Sequence, residues 1–322
     1  MIELKEVSKT FPGADSPSVD QASFRVNKGN ICVFLGPSGC GKTTILRMIN
    51  RLEEPSSGEI IVNGENVLRA EPSVLRRSIG YVIQQIGLLP HKTIEQNIAI
   101  VPELLKWPGD NIRSRVYELM EMMGLNPDAV AHKYPYQLSG GQMQRVGVAR
   151  AMAVDPPLML MDEPFGAVDP IVRIKLQDEF LRLQQKLRKT ICFVTHDINE
   201  AIKMGDYLII FKEGRMVQMG SPLEVLTNPA DDFVLSLIGD DRGVKILDLA
   251  KSEALMETDM NIPAELLESG CAVQSIDPVK LALEVMMKNN TDQVAVCRNE
   301  EKIGTLTWDD IKRHINQVSG KS

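Results

Sequence analysis

Gly36-Pro37-Ser38-Gly39-Cys40-Gly41-Lys42-Thr43-Thr44 sets a lysine and two hydroxyls directly behind three glycines. Glycines let a backbone wrap an anion with its N–H groups turned inward. A helix opening there adds partial positive charge, worth about 0.3–2 kcal/mol. That cannot hold a triphosphate alone. The spacing therefore predicts Lys42 on the β- and γ-phosphates and Thr43 on a Mg²⁺ ion.

A loop of this kind calls for an acidic partner strand, and Leu158-Met159-Leu160-Met161-Asp162-Glu163 supplies one. The acids fall at the carboxyl end of an apolar run, where open α/β sheets bind their ligands. Asp162 is expected to hold Mg²⁺ and Glu163 to polarise an attacking water as general base. Leu138-Ser139-Gly140-Gly141-Gln142 resembles half of a second phosphate loop, because no lysine follows its glycines.

The elements that must position these groups read as strand, glycine turn and amphipathic helix around residues 31–49, and as a second buried strand before Asp162. Hydrophobic residues make up 43% of the 322-residue chain and charged ones 25%, which suits a globular α/β protein with a substantial core. No apolar run approaches the roughly 20 residues a membrane-spanning helix needs. The charged start MIELKEVSK does not read as a signal peptide. Five widely spaced cysteines suggest neither a disulfide framework nor a metal knuckle, and a reducing compartment is expected. Net charge is −7, of which −5 falls after residue 239, and an acidic tail argues against nucleic acid as partner.

The ordered set GPSGCGKT, a glutamine segment, LSGGQ, LMLMDEP and VTHD resembles the nucleotide-binding subunit of an ABC transporter over roughly residues 1 to 235. The resemblance implies a P-loop NTPase of α/β class that binds ATP and Mg²⁺, with a helical subdomain over about residues 86–156. It implies that two chains pack head to tail, so that Ser139, Gly140, Gly141 and Gln142 of one meet the γ-phosphate held by the other. Gln84, or alternatively Gln85, is implied to sense Mg²⁺ and the attacking water. His196, closing the apolar run ICFVT, is implied to touch the γ-phosphate and orient Glu163. Asp169 falls in the family's inter-subunit loop, with Val168 where leucine is usual. Phe11 falls where the family stacks an aromatic ring on adenine. The apolar loop Ile86–His91 is implied to receive a helix from transmembrane permease subunits. Such a chain works at the cytoplasmic face of the membrane, and an extracytoplasmic solute-binding protein delivers the solute.

Beyond Asp240 the pattern changes. Residues 237–262 read as a helical connector. Then follow a strand (Cys271–Ile276), a helix from Pro278 to about Asn289, strands at Gln293–Cys297 and Ile303–Thr307, and a helix from Trp308. This βαββα order resembles a single CBS motif, making residues 263–322 a small α+β domain behind an ATPase domain of residues 1–236. Gly304, Thr307 and Asp310 match that family's ligand pattern, and Arg298, Lys302, Lys312 and Arg313 would supply positive charge, so an adenine nucleotide is the implied ligand. CBS motifs work in pairs, so the tail of a second chain is the implied partner. An ABC subunit with such a tail resembles those of osmoprotectant importers, which carry glycine betaine, choline or carnitine. Three rivals fare worse: a nucleic-acid-directed ABC protein would carry two cassettes or long coiled coils, an exporter has no use for this tail, and a pure sensor would not keep Glu163 and His196.

Overall fold

The computed structural model describes residues 1–83, 87–166, 168–258, 270–299 and 301–319. Gln84, Gln85 and Ile86 lie outside the described residues, as do residues 259–269 of the expected connector and tail. The chain divides into two compact units, residues 1–219 and 220–322.

The first unit opens with β1 (Ile2–Lys9), β2 (Val19–Val26), β3 (Ile31–Leu35), α1 (Lys42–Ile49), β4 (Ser57–Val62), β5 (Glu65–Asn66), α2 (Pro72–Arg77) and β6 (Ile79–Val82). Helices follow: α3 (Ile94–Leu104), α4 (Gly109–Met122), α5 (Pro127–Val130) and α6 (Gly140–Ala151). The chain then alternates through β7 (Leu158–Asp162), α7 (Pro170–Leu187), β8 (Thr190–Thr195), α8 (Ile198–Met204), β9 (Tyr207–Lys212) and β10 (Arg215–Gly220). One sheet runs in the order β2-β1-β4-β5, the other in the order β10-β9-β3-β8-β7-β6.

In the larger sheet β3 pairs in parallel with β8 and β9, and β7 in parallel with β8 and β6. Central parallel strands covered on both faces must be apolar throughout. That is why ICVFL, LMLMD and TICFVT show no alternation, and every residue of the three is buried. Phe34 of β3 packs edge-to-face on Phe24 and Phe211, with ring centroids 5.5 and 6.0 Å away. Ile45, Leu46 and Ile49 of α1 join the same core, which fixes the helix behind the phosphate loop.

The helical run between β6 and β7 has its own packing: α3 lies on α4 and α6, and α6 also on β6. Val116, Leu119 and Met120 of α4 are fully buried, so the methionine-rich stretch serves as helix core. Thr93 and Gln96 form a capping box that starts α3. Among the described residues, no helix is long and apolar enough to cross a membrane.

The second unit comprises α9 (Pro222–Thr227), α10 (Asp232–Ile238), α11 (Arg242–Leu249), α12 (Ser252–Leu255), β11 (Ala272–Gln274), α13 (Val279–Asn289), β12 (Gln293–Arg298), β13 (Glu301–Thr307) and α14 (Trp308–Ser319). Its sheet runs β11-β12-β13, the first pair parallel and the second antiparallel. The βαββα order is therefore present, with a first strand shorter than expected. The stretch expected to be a connector is different in kind. Helix α11 packs against α9, α13 and α14, and Ile246 and Leu247 are buried. The Lys245 ammonium donates to the Ile238 carbonyl at 2.6 Å and to the Asp241 carboxylate at 2.5 Å. The compact tail thus starts at Gly220, ahead of the expected boundary, because α9 to α11 supply part of its core.

Candidate active site

The phosphate loop leaves β3 at Leu35 and enters α1 at Lys42. Gly36 has φ +150° and Gly41 φ +101°. A Cβ on Gly36 would run into the Phe211 carbonyl and sit 2.8 Å from Cys40 Sγ, and one on Gly41 would run into the Ser18 carbonyl. Both glycines are thus required by backbone angle and by close approach. Lys42 is buried, and its ammonium donates to the Gly36 and Pro37 carbonyls at 2.7 Å each. Ser38, Gly39, Gly41, Lys42, Thr43 and Thr44 line a cavity of about 290 Å³ together with Ser18, Glu163 and Val194. Cys40 is a buried thiol whose pKa burial pushes up, consistent with a packing role in the loop.

Thr43 Oγ1 donates to Asp162 Oδ1 at 3.0 Å, which joins the loop to the end of β7. Two hard oxygens so close together suit a small divalent cation that takes its other ligands from water and phosphate. Among the described residues no cluster of three or more His, Cys, Asp or Glu could hold a metal by itself. Burial pushes the Asp162 carboxyl above the ordinary carboxylate range, the Thr43 hydroxyl pulls it back, and the neighbouring Glu163 charge raises it again.

Glu163 stands just past β7 at φ +45°, a left-handed conformation uncommon for a residue with a side chain. Its N–H donates to the Val194 carbonyl at 3.0 Å, so the turned backbone is held against β8. The turn brings Glu163 Oε1 to 3.0 Å from His196 Nδ1. The structure thus brings Lys42, Thr43, Asp162, Glu163 and His196 together beyond the carboxyl ends of the adjacent strands β3, β8 and β7.

Ser139 is exposed and caps α6, its hydroxyl accepting from the Gln142 N–H at 3.3 Å. Gln142 Oε1 returns the bond to the Ser139 N–H at 3.0 Å, so this side chain is held in a capping box rather than held out for a ligand. The S-x-x-Q spacing carried that signal in the sequence. A Cβ on Gly141 would sit 3.2 Å from Val172 Cγ1, which packs the turn against α7. Among the described residues lining the cavity, none comes from Ser139–Gln142, and neither Phe11 nor Asp169 is among them. Phe11 is half-buried with the Lys9 ammonium 5.0 Å from its ring centroid. Asp169 is exposed and caps α7 by accepting from the Ile171 N–H at 3.0 Å. Leu88 and Leu89 are half-buried, whereas the loop's Pro90 and His91 are exposed.

Several contributors carried no sequence signal. Ser18 lines the cavity and lies 3.3 Å from the Thr44 hydroxyl, yet its neighbours look like any Ser-Pro loop. Arg173 of α7 donates to the Val168 carbonyl at 3.1 Å and lies 3.9 Å from Asp197, which caps α8. Buried Glu200 accepts from Gln177 at 3.0 Å, and burial raises its pKa. These contacts join the helix behind Asp169 to the helix behind His196.

A family model described as ABC transporter matches residues 19–166. The choline transport ATP-binding protein OpuBA of Bacillus subtilis (strain 168) is 47% identical over 303 residues, covering 93% of this chain and 76% of that protein. The chain belongs to the ATP-binding subunits of ABC transporters. The glycine betaine uptake system ATP-binding protein YehX of Escherichia coli (strain K12) is 42% identical over 97% of this chain and 99% of its own length. Among solved structures, the dimeric post-hydrolysis state of the ATP-binding cassette MJ0796, bound to ADP and Pi, has a TM-score of 0.62 at 33% identity, covering 69% of this chain and 99% of that one. This ABC subunit binds and hydrolyses ATP to drive transport.

In the tail, the three residues matching a ligand pattern have local partners. Thr307 Oγ1 donates to Asp310 Oδ2 at 2.6 Å and accepts from the Asp310 N–H, so the pair caps α14. Asp310 is buried and lies 3.3 Å from Arg313. A Cβ on Gly304 would meet the Glu257 carbonyl at 2.7 Å, because that segment bridges Thr305. Arg298 is paired with Glu253 at 2.9 Å and Arg313 also with Glu257 at 3.6 Å, so two of the four charges of the expected basic rim have acidic partners.

A cation held by Asp162 would compete with the proton that burial favours there. On that expectation, binding of Mg²⁺ with ATP releases a proton from this carboxyl, and apparent Mg²⁺ affinity falls as pH falls. Calorimetry in buffers of different ionisation enthalpy measures the release. ATP's own protons contribute equally in both chains, so Asp162→Asn isolates the difference. Equal release by the two chains would remove Asp162 as a cation ligand.

Proposed function

We propose that this ABC subunit powers an importer of a quaternary-ammonium osmoprotectant such as glycine betaine, choline or carnitine. What carries the reading is a divided ATP site: the Thr43–Asp162 and Glu163–His196 pairs meet at one cavity, while the Ser139–Gly141 turn, exposed at Ser139, lines none of it. A second copy, packed head to tail, would complete each site with its own turn. The relatives named for choline and glycine betaine support the solute class.

On this reading Lys42 exchanges the Gly36 and Pro37 carbonyls for β- and γ-phosphate oxygens. Thr43 and Asp162, with Gln84, would hold Mg²⁺, which offsets phosphate charge when bound. Glu163 takes a proton from the water that attacks the γ-phosphorus, and His196 keeps its carboxylate turned toward that water. Ser139 and the N–H groups of Gly140 and Gly141 from the second copy close over the γ-phosphate. Asp169 lies at the seam between copies, and Phe11 stacks on adenine after releasing Lys9. Carrying a pair of subunits from mostly open to mostly closed needs about 5.5 kcal/mol of differential binding. The γ-phosphate supplies contacts that exist only in the closed state.

The chain sits peripherally at the cytoplasmic face, its 87–91 loop presenting Pro90 and His91 to a permease subunit, with a solute-binding protein acting from the other side. The tail acts as a regulatory CBS-type motif that pairs with the tail of the second copy. An adenine nucleotide at Gly304, Thr307 and Asp310 would have to displace the Thr307–Asp310 bonds and the acid partners of Arg298 and Arg313.

In a strain lacking its own copy, the chain with its permease restores uptake of labelled glycine betaine, choline or carnitine. Glu163→Gln restores none, keeps ATP binding and lowers hydrolysis by about 10²–10⁴-fold; near-normal hydrolysis would sink the general-base role. Ser139→Asp preserves a capping side chain while setting a carboxylate against the partner's γ-phosphate. It should abolish hydrolysis, and mixing it with Lys42→Ala chains should recover part, because one composite site then escapes both changes. A Ser139→Asp chain that hydrolyses ATP at the parent rate overturns the shared site. For the tail, calorimetry with adenine nucleotides on the full chain carrying Lys42→Ala decides: a binding event lost in Asp310→Ala supports a tail ligand, and no event leaves Thr307 and Asp310 as a helix cap.

A further inference from the structure

Two polar side chains, one buried and one half-buried, grip residues 87–93 ahead of α3. Asn97 of α3 is fully buried. Its Oδ1 accepts from the Leu89 N–H at 2.7 Å, and its Nδ2 donates to the carbonyls of Leu89, Lys92 and Thr93 at 3.1, 3.1 and 2.9 Å. From the other side Arg150, in the last turn of α6, donates through Nη1 to the Gly87 carbonyl at 2.6 Å. Helices α3 and α6 pack on each other, so one pair of helices holds both ends of residues 87–93.

Arg150 is half-buried, and removing a guanidinium from water even in part is costly unless its bonds are worth the loss. Desolvation lowers the Arg150 pKa, the direction that cost predicts. An apolar residue would fill the same space without it. Gly87 has φ +58°, a backbone angle that favours glycine, and a Cβ there would come within 2.5 Å of Ile83 Cδ1. Arg150 Nη2 lies 3.6 Å from that position, at ordinary contact distance, so the guanidinium packs directly on the turn.

Helix α6 has Ser139 capping one end and Arg150 near the other. A helix of its 12 residues is about 18 Å long and stiff at that length. We infer that Arg150 is a positioning residue that locks the 87–93 loop to α6, so that the turn closing on the second copy's nucleotide and the loop facing the permease move as one body. The use of that motion for transport rests on the function proposed above; the mechanical link does not.

Hydrogen exchange on the full chain, with and without a non-hydrolysable ATP analogue, tests the link. In the parent the analogue slows exchange in peptides covering 140–151 and in peptides covering 87–93. In Arg150→Met the response at 140–151 persists, while exchange at 87–93 is about tenfold faster, the scale set by one charge-assisted hydrogen bond. Arg150→Lys, which keeps a donor, restores part of the response and takes the same reading if Arg150→Met does not fold. Basal ATP KM and kcat stay within about twofold, a split that general loss of structure would not give. A response at 87–93 in Arg150→Met equal to the parent's overturns the inference. So does an equal loss in both segments with a lowered Tm, or no response at 87–93 in the parent. Uptake by the parent chain tests the transport reading separately, and its failure leaves the exchange result standing.

Discussion

Parallel pairing in the middle of the large sheet places Leu35 opposite Thr195, and Asp162 opposite Val194. Three chain segments therefore leave the sheet along one edge, the carboxyl ends of its central strands: the phosphate loop, the acid pair and His196. β3, β7 and β8 are buried along their whole length, one face of the sheet packing on α1 and the antiparallel sheet, and that burial holds the register. A slip of one residue in β7 would turn Asp162 away from Thr43, and the 3.0 Å bond between them would be lost. The larger sheet is thus the part of the molecule on which the chemistry depends.

Around that edge the structure spends stability on geometry. Glu163 adopts a left-handed backbone angle, Asp162 is buried beside another carboxylate, and Lys42 is buried among carbonyls. Compensation comes from the frame behind them. The Glu163 N–H bond to Val194 prolongs the β7–β8 ladder, and Arg173, Gln177 and Glu200 tie α7 to α8. In front of that frame Glu163 Oε1 lies 3.0 Å from His196 Nδ1.

Helix caps recur at the positions of greatest functional interest. Thr93 and Gln96, Ser139 and Gln142, and Thr307 and Asp310 each close the first turn of a helix. A cap satisfies orphan backbone donors whether or not a ligand is present. The same short pattern can therefore read as a ligand motif and serve as local structure. At Ser139 both roles are compatible, because the cap leaves the helix end exposed. At Asp310 they compete, because the carboxylate that would meet a ligand is buried against Thr307 and Arg313.

Much of this protein was determined by sequence alone, wherever a function needs residues close together along the chain. The loop Gly36–Thr44, the acids after LMLM, the glycine turn at Ser139 and the βαββα order of the tail are local patterns, set by backbone angle, strand burial and helix capping. Tertiary structure decided what depends on distant segments meeting. Ser18 reaches the nucleotide cavity only because β2 follows it into the antiparallel sheet. Arg150 finds Gly87, and Asn97 the 89–93 backbone, only once α3 and α6 pack. Helix α11 belongs to the tail rather than to a spacer because its apolar face meets α13 and α14. Two of the four charges expected to rim a ligand site, Arg298 and Arg313, are matched by Glu253 and Glu257, acids far away in sequence. A local pattern fixes which bonds a residue is able to make; which partner arrives depends on the long-range packing that excludes water from both.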